Sequence, residues 1–285
     1  MIIKLPFGRD YVAVDLRGLR VRPLQPSAPR GSNDLGRLLS RAVDFPVEGP
    51  SLSEIAEGRG SAVVVVPDVT RRAALPEVLP VILNRLLAAG VDARRITVLV
   101  ACGTHPAADA DEIRSLVGKL PLGVGLRQHD SRDTAGLTKV GEIRPGLPLL
   151  IDAAAARADL LITVGAIRHH YFAGFGGGPK MVFPGIAGYH EIQANHGLVL
   201  RGTAAGMERH PGCEPGRLGG NPVAEEIARA ADLRPPTFAV CLVPGRNGGV
   251  AWAAAGPWRP AFAAAVGQVR EWYEISGGPF DHLGG

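Results

Sequence analysis

From residue 61 onward, short runs of branched apolar residues alternate with amphipathic segments, and this rhythm restricts the fold more tightly than any single motif. AVVVVPD, RITVLVACGTH, LLITVGAI and TFAVCLVPG are strand-length apolar runs. Between them, ALPEVLPVILNRLLAAG, DADEIRSLVG and PVAEEIARAADL place apolar residues at helical spacing. Strands buried on both faces need continuous apolar runs, and parallel pairing needs a helix-sized crossover between strands. The pattern predicts an α/β domain with a mainly parallel sheet flanked by helices. Gly90 is placed to end the first of these helices, and Asn221 to cap the third ahead of Pro222. LLIDAAAARADLLITVGAI reads as a helix feeding a strand, and PAFAAAVGQVREWYEI as a last helix. IIKLPFG and YVAVDL alternate and predict an N-terminal hairpin over residues 1 to 16. RPLQPSAPRGSN reads as a surface connection, after which Asn33 or Asp34 caps the helix LGRLLSRAV.

Ligands of such sheets bind outside the carboxyl ends of the strands. Three polar clusters fall there: Asp68-Val69-Thr70-Arg71, Gly103-Thr104-His105 and Arg168-His169-His170. Together they predict one shared cleft. Bulk properties restrict what that cleft takes. The net charge is only +4, and the arginines are scattered without interleaved aromatics, which argues against nucleic acid. The three cysteines form no CxxC pair, so neither a zinc site nor a disulfide framework is signalled, and the odd count suits a reducing compartment. No signal peptide or membrane-length run is present, so the expected location is cytoplasmic.

FAGFGGGPKMVFPGIAG, residues 172 to 188, surrounds Lys180 with six glycines, two prolines and no other charge. The lysine follows Pro179 and precedes Met181, unlike a phosphate loop, where a hydroxyl residue follows to reach magnesium. A GxGxxG fingerprint also fails, because Pro179 stands where its last glycine belongs. A lysine among Phe175, Met181, Val182 and Phe183 has its charged form disfavoured, which makes a nucleophilic amine. The competing reading, a lysine snorkelling past a glycine turn, weighs equally on composition alone. His169, His170, His190 and His196 bracket the loop, and His105 lies at another strand end. A trio of histidines can bind a metal, or two can act as acid and base on opposite faces of a substrate. In DVTR, Arg71 can clamp a carboxylate, or Asp68 can simply cap the next helix. His129-Asp130 is either an oriented imidazole or a turn. No GxSxG elbow supports a serine hydrolase, and Cys102 reads as a small buried residue.

DVTR, ACGTHP, QHD, GAIRHHYFAGFGGGPKMVFPGIAGYHEIQANH and GRLGGNPVAEEI, in this order, closely resemble the lactate racemase family, the nickel-pincer-nucleotide enzymes that act on 2-hydroxy acids. The likeness extends from about the first hairpin to residue 275. It implies that Lys180 is the lysine joined to the cofactor, nickel pyridinium-3,5-bisthiocarboxylic acid mononucleotide, through a thioamide. It implies that His196 completes the nickel coordination, and that His105 and His170 are the acid/base pair. Asp68, Thr70, Gly177 and Gly178 would lie at the cofactor and Arg71 at the substrate carboxylate. The implied reaction takes a proton from the substrate hydroxyl while the Cα hydride moves to the cofactor, then returns both on either face.

The sequence departs from the family pattern at two places. AAAGPWRPAF lacks the Ala-His the family shows there, and Phe262 stands in that region. Full-length members continue into a second α/β domain, of which SGGPFDHLGG, residues 276 to 285, resembles only a remnant. The expectation is therefore a cofactor and catalytic domain over 1–275, with the second domain absent or truncated. Expected partners are a 2-hydroxy acid and cofactor-biosynthesis proteins, with either a homo-oligomer or a partner chain supplying the missing half. Two alternatives stand beside a racemase or epimerase: a cofactor-carrying or binding subunit that needs that partner, and an α/β protein that binds a small anion.

Overall fold

The structure is a computed structural model that describes residues 2–8, 10–19, 24–71, 73–204 and 206–275. The Gly-rich tail expected over 276–285 lies outside the described residues. The chain opens with an antiparallel hairpin, β1 (Ile2–Phe7) and β2 (Asp10–Asp15). Helix α1 (Leu35–Asp44) follows, capped by Asp34, whose carboxylate accepts from Arg37 N–H at 3.0 Å. α2 (Leu52–Ala56) starts on a capping box formed by Ser51 and Glu54.

Next come β3 (Ala62–Pro67), α3 (Leu75–Ala88), β4 (Ile96–Ala101), α4 (Ala110–Val117) and β5 (Gly125–Gln128). An antiparallel pair, β6 (Leu137–Arg144) and β7 (Leu147–Asp152), leads through α5 (Ala153–Arg157) into β8 (Leu160–Ala166). The segment read as a helix feeding a strand is thus mostly strand. Its alanine run forms a helix of only 5 residues, begun by Asp152, which accepts from the N–H groups of Ala154 and Ala155. Two short pieces, β9 (His169–His170) and β10 (Gly174–Phe175), pair with each other ahead of a 3₁₀ turn, Gly178–Met181. α6 (Tyr189–His196), a small hairpin β11 (Leu200–Thr203) and β12 (Gly206–Arg209), α7 (Pro222–Leu233), β13 (Phe238–Pro244), β14 (Val250–Gly256) and α8 (Trp258–Tyr273) complete the order.

The central sheet runs β14-β13-β8-β3-β4-β5. All neighbours are parallel except β14, which pairs antiparallel with β13 at the edge. β3 is buried at every position. Because side chains alternate across a sheet, Val63 and Val65 enter one apolar core while Val64 and Val66 enter the other. The first core is closed by α7, α8 and the β6–β7 pair, the second by α1, α2, α3 and α4.

This order has one consequence for function. The chain builds outward from β3 through β4 to β5, then returns to lay β8 on the opposite side of β3. The carboxyl ends of β3 and β8 therefore diverge, which is the switch-point crevice where open α/β sheets bind ligands. Asp68 follows β3 and His169-His170 follow β8, so two of the three polar clusters flank that crevice, and the third follows the adjacent β4.

Candidate functional site

The turn after β3 is built by its own aspartate. Asp68 Oδ1 accepts from Thr70 N–H at 3.0 Å and from Thr70 Oγ1 at 2.6 Å, and Arg71 N–H donates to Asp68 C=O at 3.0 Å. The helix-cap reading of Asp68 fails, because α3 begins at Leu75, its N-cap position is Ala74, and no side chain caps it. Asp68 Oδ2 faces His105 Nδ1 at 2.5 Å. A carboxylate only accepts, so His105 holds a proton on Nδ1, which in the neutral ring leaves Nε2 with a lone pair. Asp68 and Thr70, expected at the cofactor, are bonded to each other, and Asp68 also to His105. Cys102, at the end of β4, is buried, and burial with the nearby Asp68 pushes its thiol up to about 11, so it is no nucleophile.

The second half of the site is Lys180. Gly103 N–H donates to Gly185 C=O at 3.0 Å, which ties the His105 loop to the segment after Lys180. The Lys180 ammonium lies 5.5 Å from the centre of the Phe172 ring. Burial, followed by the Arg71 guanidinium, lowers its pKa to about 7. No ion pair or hydrogen bond satisfies the Lys180 side chain among the described residues. The side chain is half-buried rather than extended into solvent, and near neutrality a large share of the amine is uncharged.

His170 and His196 share this environment. The Phe172 ring packs edge-on against both, at centroid distances of 4.6 and 5.2 Å. His170 is pushed down to about 3 by burial and then by Lys180, Arg71 and His196. His196 is lowered by burial and by Lys180, against a hydrogen bond to Ile192 C=O that raises it. That bond, Nδ1 to the carbonyl at 2.9 Å, fixes the proton on Nδ1 and leaves Nε2 as a free donor atom, the usual preparation of a metal-binding imidazole. Among the described residues no three His, Cys, Asp or Glu side chains gather as a metal-binding group. A metal bound by His196 would draw its other donors from a bound molecule, and the adjacent reactive amine suits a molecule held covalently.

Arg71, Lys180, His170 and His196 thus lie within electrostatic reach of one another at the crevice, and Asp68 ties His105 to the turn that carries Arg71. The other two bracketing histidines do not join them. His169 turns outward to Glu274 at 3.1 Å, and His190 is exposed. Arg71, with no partner among the described residues, leaves a surplus of positive charge that suits a carboxylate. The mouth of the crevice is open: His105 is 47% exposed and Tyr171, stacked on His170, is 71% exposed.

Packing alone requires two of the loop glycines. Gly177 and Gly178 have φ of 68° and 53°, and a Cβ on either would overlap Ala166 C=O or the Phe262 ring. Phe262 fills the space beside Gly178. Gly178→Ala is expected to cost about 2–4 kcal/mol, from left-handed strain plus overpacking. Urea denaturation checks this, and the cost should fall when Phe262 is already alanine. A cavity of about 520 Å³ between α7 and α8 is lined in part by Lys180 but by none of the histidines and not by Arg71. It is distinct from the crevice.

Sequence reasoning missed what holds the segment between Lys180 and His196. Buried His129 donates from Nε2 to Ala187 C=O at 2.9 Å, with Asp152 3.9 Å from its Nδ1. Asp152 N–H donates to Ile186 C=O, Gly188 N–H to Leu150 C=O, and Tyr189 N–H to Ser131 C=O. His129 is an oriented imidazole, but Ala187 and Asp152 orient it rather than Asp130. The QHD motif was visible, though nothing in it points to a carbonyl 58 positions away.

Lys180 burial has a measurable cost. The unfolded chain keeps this lysine protonated up to its ordinary value, the folded chain only to about 7, so stability contributed by this group rises with pH between the two. Lys180→Met is expected to be the more stable protein by on the order of 2–4 kcal/mol at pH 6, with the gap closing toward pH 10. Chemical denaturation across that range checks it.

The family model described as lactate racemase N-terminal domain matches residues 7–208. The chain is 32% identical over 206 residues to lactate racemase of Lactiplantibacillus plantarum, covering 72% of this chain and 47% of that protein. It is 30% identical over 234 residues to lactate racemase of Thermoanaerobacterium thermosaccharolyticum, covering 80% and 53%. The chain spans about half the length of the curated relatives it matches. Among solved structures, the lactate racemase apoprotein of T. thermosaccharolyticum superposes with a TM-score of 0.84 at 27% identity, covering 95% of this chain and 63% of that one. A structural-genomics protein from Thermotoga maritima shares the fold, with a TM-score of 0.60 at 20% identity. No helix among the described residues is long and apolar enough to cross a membrane.

Proposed function

The chain belongs to the lactate racemase N-terminal domain family, and from that premise we propose that it is a racemase or epimerase of a 2-hydroxy acid working with a lysine-tethered nickel-pincer nucleotide in the cytoplasm. The observation that carries this reading is the convergence of an enclosed amine of lowered pKa with a metal-ready imidazole at the switch-point crevice. Lys180 is proposed to hold the nucleotide covalently and His196 Nε2 its nickel. When bound, that group supplies a place for the substrate Cα hydride.

The chain's own residues do the rest. Arg71 binds and orients the carboxylate, with guanidinium geometry that matches it. His105 takes the hydroxyl proton at Nε2, and Asp68 stabilises the imidazolium that results, through the bond already in place. His170 manages the proton on the opposite face. Phe172 shields Lys180, the buried His170 and the half-buried His196 from water. Residues 1–275 are proposed as the cofactor and catalytic domain.

Protein co-expressed with cofactor-biosynthesis enzymes tests this reading. Expected are a nucleotide adduct on Lys180 by intact mass and peptide mapping, bound nickel, and interconversion of 2-hydroxy acid enantiomers. An unmodified Lys180 without nickel under those conditions would sink it. The open mouth at His105 and Tyr171 favours one alternative, a cofactor-carrying subunit completed by a partner chain. Racemisation by the loaded chain alone would dismiss that alternative.

A further inference from the structure

We propose that the two acid/base histidines rest in opposite forms, His105 with a bare Nε2 and His170 with a protonated one, so that His170 must give up its backbone hydrogen bonds before it can accept a proton. The observation is who donates to whom. Ala173 N–H points at His170 Nδ1 at 3.2 Å and Phe172 N–H points at the same atom at 3.5 Å. A backbone N–H only donates, so His170 Nδ1 must be the acceptor, and the proton of a neutral imidazole then sits on Nε2. At His105 the polarity is reversed, because the partner of Nδ1 is the Asp68 carboxylate at 2.5 Å.

The charged and titratable groups around His170 keep its ring neutral. Arg71 from the turn after β3, Lys180 from the 3₁₀ turn and His196 from α6 all disfavour a second proton on it, and no carboxylate among the described residues compensates them. The Tyr171 ring stacks over one side of the imidazole at 4.9 Å, and Phe172 lies edge-on at 4.6 Å. A neutral imidazole fixed in this way donates a hydrogen bond to a substrate oxygen but has no lone pair directed at it.

This deepens, and rests on, the racemase reading above. A substrate whose hydroxyl faces His105 meets a base at once. Its mirror image meets a donor at His170. For His170 to take that hydroxyl proton, one proton must first leave Nε2 and one must arrive at Nδ1, with no net change of charge and with the loss of both backbone bonds. His105 is therefore the resting base, and His170 the group that has to be converted.

The test is ring-¹⁵N NMR of histidine-labelled protein at pH 7, with no nucleotide or nickel added. Signals are assigned by their loss in His105→Gln and His170→Gln. If His170→Gln does not fold, Tyr171→Ala identifies the same resonance through the shift caused by removing the stacked ring. Expected is a protonated Nε2 with bare Nδ1 at His170, and a protonated Nδ1 at His105. A protonated Nδ1 at His170, or one shared form at both residues, overturns the proposal. The measurement is independent of turnover: the expected forms without racemisation by loaded protein would sink the racemase reading alone, and racemisation with Nδ1–H at His170 would sink this inference alone.

Discussion

Lys180→Arg is expected to yield a chain with no covalent adduct and with racemisation reduced at least about 10⁴-fold, effectively to background. The charge and much of the length are retained, so the loss isolates nucleophilicity. The Lys180 amine, brought down to about 7, is partly neutral at physiological pH. A guanidinium remains protonated at any pH the protein survives and cannot form the bond. Adduct formation in the unsubstituted protein should rise through pH 6 to 8, half-maximal near the amine's value of about 7, and level off above about 8, where the amine is almost wholly free. Peptide mapping is unambiguous, because the chain has only four lysines and Lys4, Lys119 and Lys139 are all exposed. If Lys180→Arg retained both an adduct and activity, the tether would have to lie elsewhere.

How far such expectations could be read from the sequence depends on how local their causes are. AVVVVP announced a strand buried on both faces because its own side chains carry the signal, and the structure buries all of β3. β14 gave no such sign: VAWAAAG is alanine-rich and forms a strand only because β13 offers it an edge. The glycine loop was conspicuous, but its reason was not. Gly178 is bare because Phe262, from the distant α8, occupies the space. His170 and His196 were separable from His169 and His190 only by burial and by the company of Phe172, which depend on tertiary packing. The same holds for Asp68. Its bond to Thr70 is encoded two residues away, whereas its bond to His105 joins positions 37 apart, through the pairing of β3 with β4.

Asp68→Asn is the substitution that exploits that pairing, and it is expected to lower kcat about 10²–10⁴-fold while leaving the Lys180 adduct in place. The size of the effect follows from which amide atom meets the histidine. Asp68 Oδ1 already accepts from both the N–H and the hydroxyl of Thr70. In asparagine that place demands the carbonyl oxygen, which turns the NH₂ toward His105. The Nδ1 of His105 must then accept, its proton moves to Nε2, and the base is lost although the ring stays in position. Asp68 would also no longer stabilise the imidazolium. Thr70→Val removes one of the two bonds that orient the amide, so it should return part of the activity to Asp68→Asn while costing the parent protein little. Intact mass separates this role from cofactor binding. Adduct and nickel retained with kcat reduced identify Asp68 as the residue that positions His105, whereas loss of the adduct would return Asp68 to the cofactor site.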